Sequence, residues 1–317
     1  MSKDILLAAN IPADHVAYYE EFYTIHRLMA AEDKEAFLAE VGPRIDAVLT
    51  SGVRGFNKDL LDALPNVKMV SVWGAGLQAL DLDTARERGI AVTNTPDNSK
   101  IAVAELGVGL LLAACRWIPD GDNVVKSGRW ESESYSRLGT GLAGKKCGIV
   151  AMGTIGRAVA KRLEAFDLTI SYFGPRKKDD LAYTYFDDVE KMAEDSDFLI
   201  LCCPETDGTR GLIDAAVLKA LGEDGILVNI ARGKVVDEDA LTEALELGGI
   251  KAAACDVFAD EPRVPKRLRN SDRLVAVPHI GTQLSDVRQK RKELALANLQ
   301  AFFAGEPMPG FICGPNA

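Results

Sequence analysis

Three residues of this 317-residue chain pair useful chemistry with positions just beyond apolar runs. His279 follows Leu274–Val277 in the string V-P-H-I-G-T. An imidazole titrates near neutrality and is the commonest general acid–base. Arg232 ends the run Ile226-Leu-Val-Asn-Ile-Ala-Arg-Gly233. Its planar guanidinium can fork onto a carboxylate. Glu261 lies in Asp256-Val-Phe-Ala-Asp-Glu-Pro262, where the proline holds the preceding backbone extended. A carboxylate there can orient a histidine and raise its pKa by stabilising the imidazolium. Each residue alone is commonly an ion-pair partner. Three at three strand ends, where open α/β sheets bind ligands, form a constellation. The other histidines, His15 and His26, lie in the stretch Asp14–Leu28, which reads as helical surface and predicts solvated rings.

A second cluster suits phosphate. The string A-M-G-T-I-G sits between an apolar run ending near Ala151 and a helical pattern carried by Ile155, Val159, Leu163 and Phe166. Gly153 would let backbone approach a pyrophosphate, and Gly156 would let helix and strand pack closely. The helix start supplies N–H donors and a positive dipole end. Ala151 replaces the usual first glycine, which predicts a negative φ there. An NAD site commonly carries an acid about 20 residues further on, bonded to the ribose 2′-hydroxyl. That place is Gly174, and Arg176, Lys177 and Lys178 follow it. Cations in place of an acid suit a 2′-phosphate, hence NADP, with NAD the other possibility. The plainer reading is a solvated basic loop, with Asp179 and Asp180 offsetting its field.

The elements that must hold these residues form two alternating blocks. In the first third, strands are expected at Ile5–Ala9, Ala47–Thr50, Met69–Trp73 and Ala91–Thr93, with helical patterns at Asp59–Leu64 and Leu82–Glu87. Ile101–Arg116 reads as a closely packing helix, and Gly121–Gly144 as a surface connection. Six more strands follow at Cys147–Ala151, Thr169–Phe173, Phe198–Cys203, Ile226–Ile230, Ala252–Val257 and Leu274–Val277. Such alternation predicts an α/β fold with two doubly wound parallel sheets. A last helix, Ser285–Phe303, has apolar residues on two sides and is expected to fold back onto the first block.

Composition narrows the class. The chain has 37 basic and 47 acidic residues and a net charge of −10, which disfavours nucleic acid and membrane surfaces as partners. No run approaches a membrane span. The six cysteines show neither CxxC nor cysteine–histidine metal spacing, so no metal site is expected. Free thiols in apolar segments point to a reducing cytoplasm.

With these motifs assembled, the chain resembles the D-isomer-specific 2-hydroxyacid dehydrogenase family over nearly its whole length. The matching segments are AMGTIG, NIARGKVVDEDAL, DVFADEP and PHIGT, in the family's order, with VTNTPDNSKIAVAELGVGLLLA and the GRW ending at Trp130. The string ISYFGPRKK is most similar to that of NADP-preferring hydroxypyruvate, glyoxylate and hydroxyphenylpyruvate reductases. The resemblance implies a Rossmann cofactor domain, 99–283, inserted in a flavodoxin-like substrate domain made of 1–98 and 284–317. It implies reduction of a 2-keto acid to the D-2-hydroxy acid, with His279 the proton donor, Glu261 its partner and Arg232 the anchor for substrate carboxylate and carbonyl. It places cofactor contacts at Gly153, Thr154, Ile155, Gly156, Gly174, Arg176, Lys177, Cys203, Pro204, Thr209, Ile230, Ala231, Asp256 and Gly281. It places substrate contacts at Ala75 and Gly76, in Trp73-Gly-Ala-Gly76, where Gln78 stands in place of a frequent acid. Arg54 could face the cleft or be a surface or dimer contact. A homodimer is implied. The alternatives are a nucleotide-sensing, co-repressor-like member of the fold, and an NAD-linked dehydrogenase of a larger aromatic 2-keto acid.

Overall fold

The computed structural model describes residues 3–52, 54–74, 76–77, 79–95 and 99–315. The chain divides into two compact units, one of Met1–Asn98 with Leu284–Ala317 and one of Ser99–Gln283.

The first unit begins β1 (Asp4–Leu7), α1 (Ala13–Glu20), β2 (Thr24–Arg27), α2 (Lys34–Val41), β3 (Ala47–Ser51), α3 (Lys58–Asp62), β4 (Met69–Trp73), α4 (Leu82–Glu87) and β5 (Ala91–Asn94). The second unit runs α5 (Ser99–Cys115), α6 (Ile118–Lys126), β6 (Lys146–Val150), α7 (Thr154–Leu163), β7 (Thr169–Phe173), β8 (Thr184–Phe186), α8 (Val189–Glu194), β9 (Phe198–Leu201), α9 (Ala215–Leu221), β10 (Ile226–Asn229), α10 (Glu238–Leu247), β11 (Ala252–Cys255), α11 (Lys266–Arg269) and β12 (Leu274–Ala276). The chain then returns to the first unit with α12 (Ser285–Ala304) and β13 (Phe311–Cys313).

The second unit's sheet is parallel throughout, in the order β12-β11-β10-β9-β6-β7-β8. Strand order reverses between β6 and β9, the switch point at which doubly wound sheets open a ligand crevice. Its central strands are apolar on both faces, because helices cover both. Ile149, Ile200 and Val228 pack on the side of α5 and α7, and Leu199, Leu201 and Leu227 on the side of α8, α9 and α10.

The first unit's sheet has the order β13-β5-β4-β3-β1-β2, with only β13 antiparallel. One face packs α2, α3 and α4 residues on Val48, Val70 and Val92. The other packs Val16 and Tyr19 of α1 and Ala295, Leu296 and Leu299 of α12 on Ile5, Leu49 and Met69. Asn298, fully buried, locks the returning segment in place. Its Nδ2 donates to Asn94 O at 3.0 Å and its Oδ1 accepts Gly310 N–H at 2.8 Å.

Several expectations need correction. His15 is buried, 3% exposed, edge-on to Trp73 with ring centroids 5.7 Å apart. His26 is on a strand, because α1 stops at Glu20, and its Nε2 lies 2.6 Å from Asp4 Oδ1. Residues 121–144 are largely exposed, but open with the end of α6. The short strands β2, β8 and β13 had no counterpart among the expected runs. They are partly exposed and only three or four residues long, too short to show a period.

Candidate active site

The carboxyl ends of β10, β11 and β12 bring Arg232, Glu261 and His279 into one cluster within the second unit. Glu261 Oε2 lies 2.7 Å from His279 Nδ1, and Glu261 Oε1 accepts the Phe258 N–H at 3.0 Å. Both carboxylate oxygens are therefore fixed. With Nδ1 turned to Glu261, Nε2 is the ring nitrogen with no hydrogen-bond partner among the described residues. The Glu261 hydrogen bond raises the His279 pKa, against the opposing effect of burial, and the Glu261 and Asp256 charges add to the rise while Arg232 lowers it. For Glu261, burial pushes the carboxyl up, but the His279 and Phe258 hydrogen bonds and the His279 and Arg232 charges leave it below its usual value.

His279 has φ +53°, a left-handed backbone that costs a non-glycine residue roughly 1–2 kcal/mol. Asp256 holds it there. The Asp256 carbonyl accepts the His279 N–H at 2.9 Å, and its carboxylate accepts the N–H groups of Ile280 and Gly281 at 2.6 and 3.0 Å. Asp256 is 3% exposed, and burial raises its pKa. Gly281 is required by this clasp. A Cβ there would lie 2.9 Å from Asp256 Oδ2 and 3.3 Å from Val103 Cγ2.

Arg232 is half-buried, and its Nη1 donates to Ala231 O at 2.6 Å. Its loop is shaped by Asn229, which the sequence reading missed. The Asn229 Oδ1 accepts Ala231 N–H at 3.0 Å and its Nδ2 donates to Arg232 O at 3.1 Å. Glu238 was missed as well. Its carboxylate accepts the Ala259 N–H at 2.6 Å and bridges the start of α10 to the Glu261 loop. Burial raises its pKa. Gly233 lets these loops touch, since a Cβ would meet the Phe258 carbonyl carbon at 1.9 Å. The cue for Asn229 was an amide at a strand end. For Glu238 it was an acid in the first turn after Asp237.

The residues expected to hold phosphate lie at the β6–α7 turn. The start of α7 carries no side-chain cap, and the space beside Gly153 is open, so its first N–H groups face an approachable surface. A Cβ on Gly156 would lie 2.2 Å from Ala151 O. Ala151 has φ +74°, contrary to expectation, with its N–H bonded to Phe173 O at 2.8 Å. The strand-to-helix turn thus holds this residue left-handed although it carries a side chain.

Gly174 immediately follows β7, buried, with its carbonyl accepting from the Tyr185 hydroxyl at 3.0 Å. Arg176 and Lys177 beyond it are exposed and make no ion pair among the described residues. Asp180 turns away to Arg157. Ile230 and Ala231 are buried beyond β10, and Cys203 is buried beyond β9, with burial pushing its thiol up to about 11. Thr209 ties the adjoining loop by donating to Pro204 O at 2.7 Å. An uncapped helix start, an open glycine and buried apolar loop walls at a switch point fit a dinucleotide.

In the first unit, the loops after β3 and β4 touch, since a Cβ on Gly52 would lie 2.6 Å from Gly76 O. Arg54 is exposed and its N–H bonds to Ser51 Oγ at 3.1 Å. Ala75 and Gln78 lie outside the described residues.

The parallel sheet with its dinucleotide turn and the histidine–carboxylate pair define a nicotinamide-dependent oxidoreductase. Residues 108–281 match the family model for the D-isomer specific 2-hydroxyacid dehydrogenase, NAD binding domain. The chain is 39% identical over 289 residues to glyoxylate/hydroxypyruvate reductase A HPR2 of Arabidopsis thaliana, covering 91% of this chain and 92% of that relative. It is 40% identical over 286 residues to hydroxyphenylpyruvate reductase of Plectranthus scutellarioides, covering 90% and 91%. The crystal structure of an NADPH-dependent glyoxylate/hydroxypyruvate reductase from Sinorhizobium meliloti, in complex with NADP and malonate, matches with a TM-score of 0.89 at 32% identity, over all of both chains. The chain belongs to the D-isomer specific 2-hydroxyacid dehydrogenase family.

Proposed function

We propose that this enzyme reduces a small 2-keto acid, glyoxylate or hydroxypyruvate, to the D-2-hydroxy acid with NADPH. The observation that carries the chemistry is the His279–Glu261 pair, a histidine fixed at Nδ1 with its pKa raised. A bound reduced nicotinamide supplies the hydride that the keto carbon receives. The chain supplies the rest. Protonated His279 gives its Nε2 proton to the keto oxygen, and Glu261 stabilises the imidazolium beforehand. Arg232 holds the substrate carboxylate and polarises the carbonyl. The uncapped start of α7, Gly153 to Gly156, receives the diphosphate, and the Cys203–Thr209 and Ile230–Ala231 segments wall the cofactor.

NADPH is favoured because Arg176 and Lys177, without an ion pair among the described residues, stand close to Gly174, where an NAD site would carry an acid. The names of the similar reductases support the substrate class. The likeness to hydroxyphenylpyruvate reductase supports a second reading, an aromatic 2-keto acid. A homodimer fits the apolar side chains that α6 and the following segment expose, among them Ile118, Val125, Trp130 and Leu138. Six free cysteines fit a cytoplasmic setting. Among the described residues, no single helix is long and apolar enough to cross a membrane.

The test is the loss of NADPH absorbance with glyoxylate, hydroxypyruvate, phenylpyruvate and hydroxyphenylpyruvate, repeated with NADH. The reading predicts the highest kcat/KM with NADPH and a two- or three-carbon acid. Turnover with none of the four acids would overturn it.

A further inference from the structure

At the end of the second unit's sheet opposite the catalytic cluster, a cavity of about 350 Å³ is lined by Trp117, Arg137, Lys251, Asp272 and Arg273. Lys251 immediately precedes β11 and Arg273 immediately precedes β12. We propose that this cavity binds a small phosphorylated metabolite, with Lys251 and Arg273 as its cationic donors.

Charge argues first. The lining holds three cations and one carboxylate, in a chain whose net charge is −10. Arg137 is already committed. Its guanidinium stacks 3.6 Å from the Trp117 ring centroid and lies 3.7 and 3.4 Å from carboxylate oxygens of Asp120 and Asp272. It also donates to Asp272 O at 3.0 Å. Asp272, the one acid in the lining, is thus partly neutralised by Arg137. Lys251 has no side-chain partner among the described residues. Among the described residues, the Arg273 side chain reaches only the Ile250 carbonyl, at a long 3.4 Å. Two cations without a carboxylate, on one concave wall, match the charge of a phosphate dianion.

Shape argues second. Gly248 ends α10 beneath the Arg273 guanidinium, and a Cβ there would lie 3.3 Å from Nη1. The bare glycine leaves the guanidinium room along the wall. The cavity exceeds what a bare phosphate fills, so the ligand carries an organic part.

The location gives binding a consequence. Ala253 N–H donates to Arg273 O at 3.0 Å, so the two strands are joined beside the two cations. β11 and β12 run in parallel from there to Asp256 and His279. Four residues of strand span only about 13 Å. An anion bridging Lys251 and Arg273 would therefore brace the two strands that carry the clasp of the catalytic histidine.

The test is calorimetric titration of the full chain saturated with reduced nicotinamide. The probes are glycerol phosphate, inorganic phosphate and succinate. Glycerol phosphate should bind saturably and more tightly than either other probe. Lys251→Ala and Arg273→Gln should each weaken it at least 10-fold, with cofactor affinity and basal kcat unchanged. Unligated melting temperatures identify a variant that misfolds, and Lys251→Ala, at a half-exposed site, keeps the test open if Arg273→Gln fails. Absence of saturable binding, or equal binding by wild type and Lys251→Ala, would overturn the proposal. Trp117 and Arg137 adjoin Ile118 and Leu138 of the homodimer face proposed above, so binding lost as the protein associates would overturn the proposal and assign the cavity to a second copy's acidic side chains.

Discussion

Arg157 and Asp180 face each other through two hydrogen bonds, of 2.7 and 3.1 Å, across the mouth of the β7 loop. The Arg157 hydrogen bond holds the Asp180 carboxyl below its usual range, so it stays ionised and engaged. One of the two acids that follow the basic loop thus spends its charge on a helix residue rather than on Arg176 or Lys177.

That arrangement sharpens the prediction on cofactor choice. One charge-assisted hydrogen bond to a 2′-phosphate contributes about 1.5–3 kcal/mol, or roughly 10- to 150-fold in affinity. Arg176→Ala should weaken NADPH by that factor and leave NADH nearly unchanged. Added salt should raise the KM for NADPH more than that for NADH, because the contact is exposed and screened. Steady-state kinetics with both cofactors provide the check, and equal losses would reduce the cations to a solvated loop.

For the proton, His279→Ala should lower kcat by about 10²–10⁴ while cofactor affinity persists. Reduction uses the imidazolium, whose raised pKa keeps it populated to higher pH, so the rate should fall as pH rises through that pKa. Glu261→Gln removes the main cause of the rise. The alkaline limb of keto-acid reduction should then move to lower pH. A pH–rate profile identical to wild type would release Glu261 from this role.

Arg232→Lys keeps the charge and loses the fork. A higher KM for the keto acid and a lower kcat are expected together, because the group binds both ground and transition states. A change confined to cofactor binding would contradict the assignment.

The backbone at Ala151 allows a stability prediction. Its left-handed φ costs roughly 1–2 kcal/mol with a side chain, against about 0.5–1 kcal/mol of entropy for glycine. Ala151→Gly should raise the melting temperature slightly and Ala151→Val should lower it. Gly156→Ala should lower it further than Ala151→Val does, since its methyl would meet the Ala151 carbonyl. Thermal denaturation of the three variants ranks them directly.

What could be read from the chain follows from how local the cause is. The strands β3, β4, β6, β7, β9, β10 and β11 are buried and apolar, so short runs reveal them. The β6–α7 turn is local too, and its glycines were legible while the conformation of Ala151 was not. His15 misled because its burial comes from β4 and α12, far along the chain. Trp73 meets its ring, and Tyr19, one helical turn on, donates to Lys292 O at 3.2 Å. The Asp256 clasp was equally hidden, since an acid in a strand-end string gives no sign that its oxygens serve backbone 24 and 25 residues later.

The lock made by Asn298 sets an order of events during synthesis. It joins Asn94 to a segment 204 residues later, and α12 supplies half of one apolar face of the first sheet. The inserted unit has all its strands once Gln283 leaves the ribosome, whereas the strands that emerged first must wait with that face uncovered. Of the two units, the one begun first is therefore the last to finish folding. An interruption of translation between Gln283 and Cys313 releases a chain with a complete cofactor sheet and an exposed, aggregation-prone first sheet.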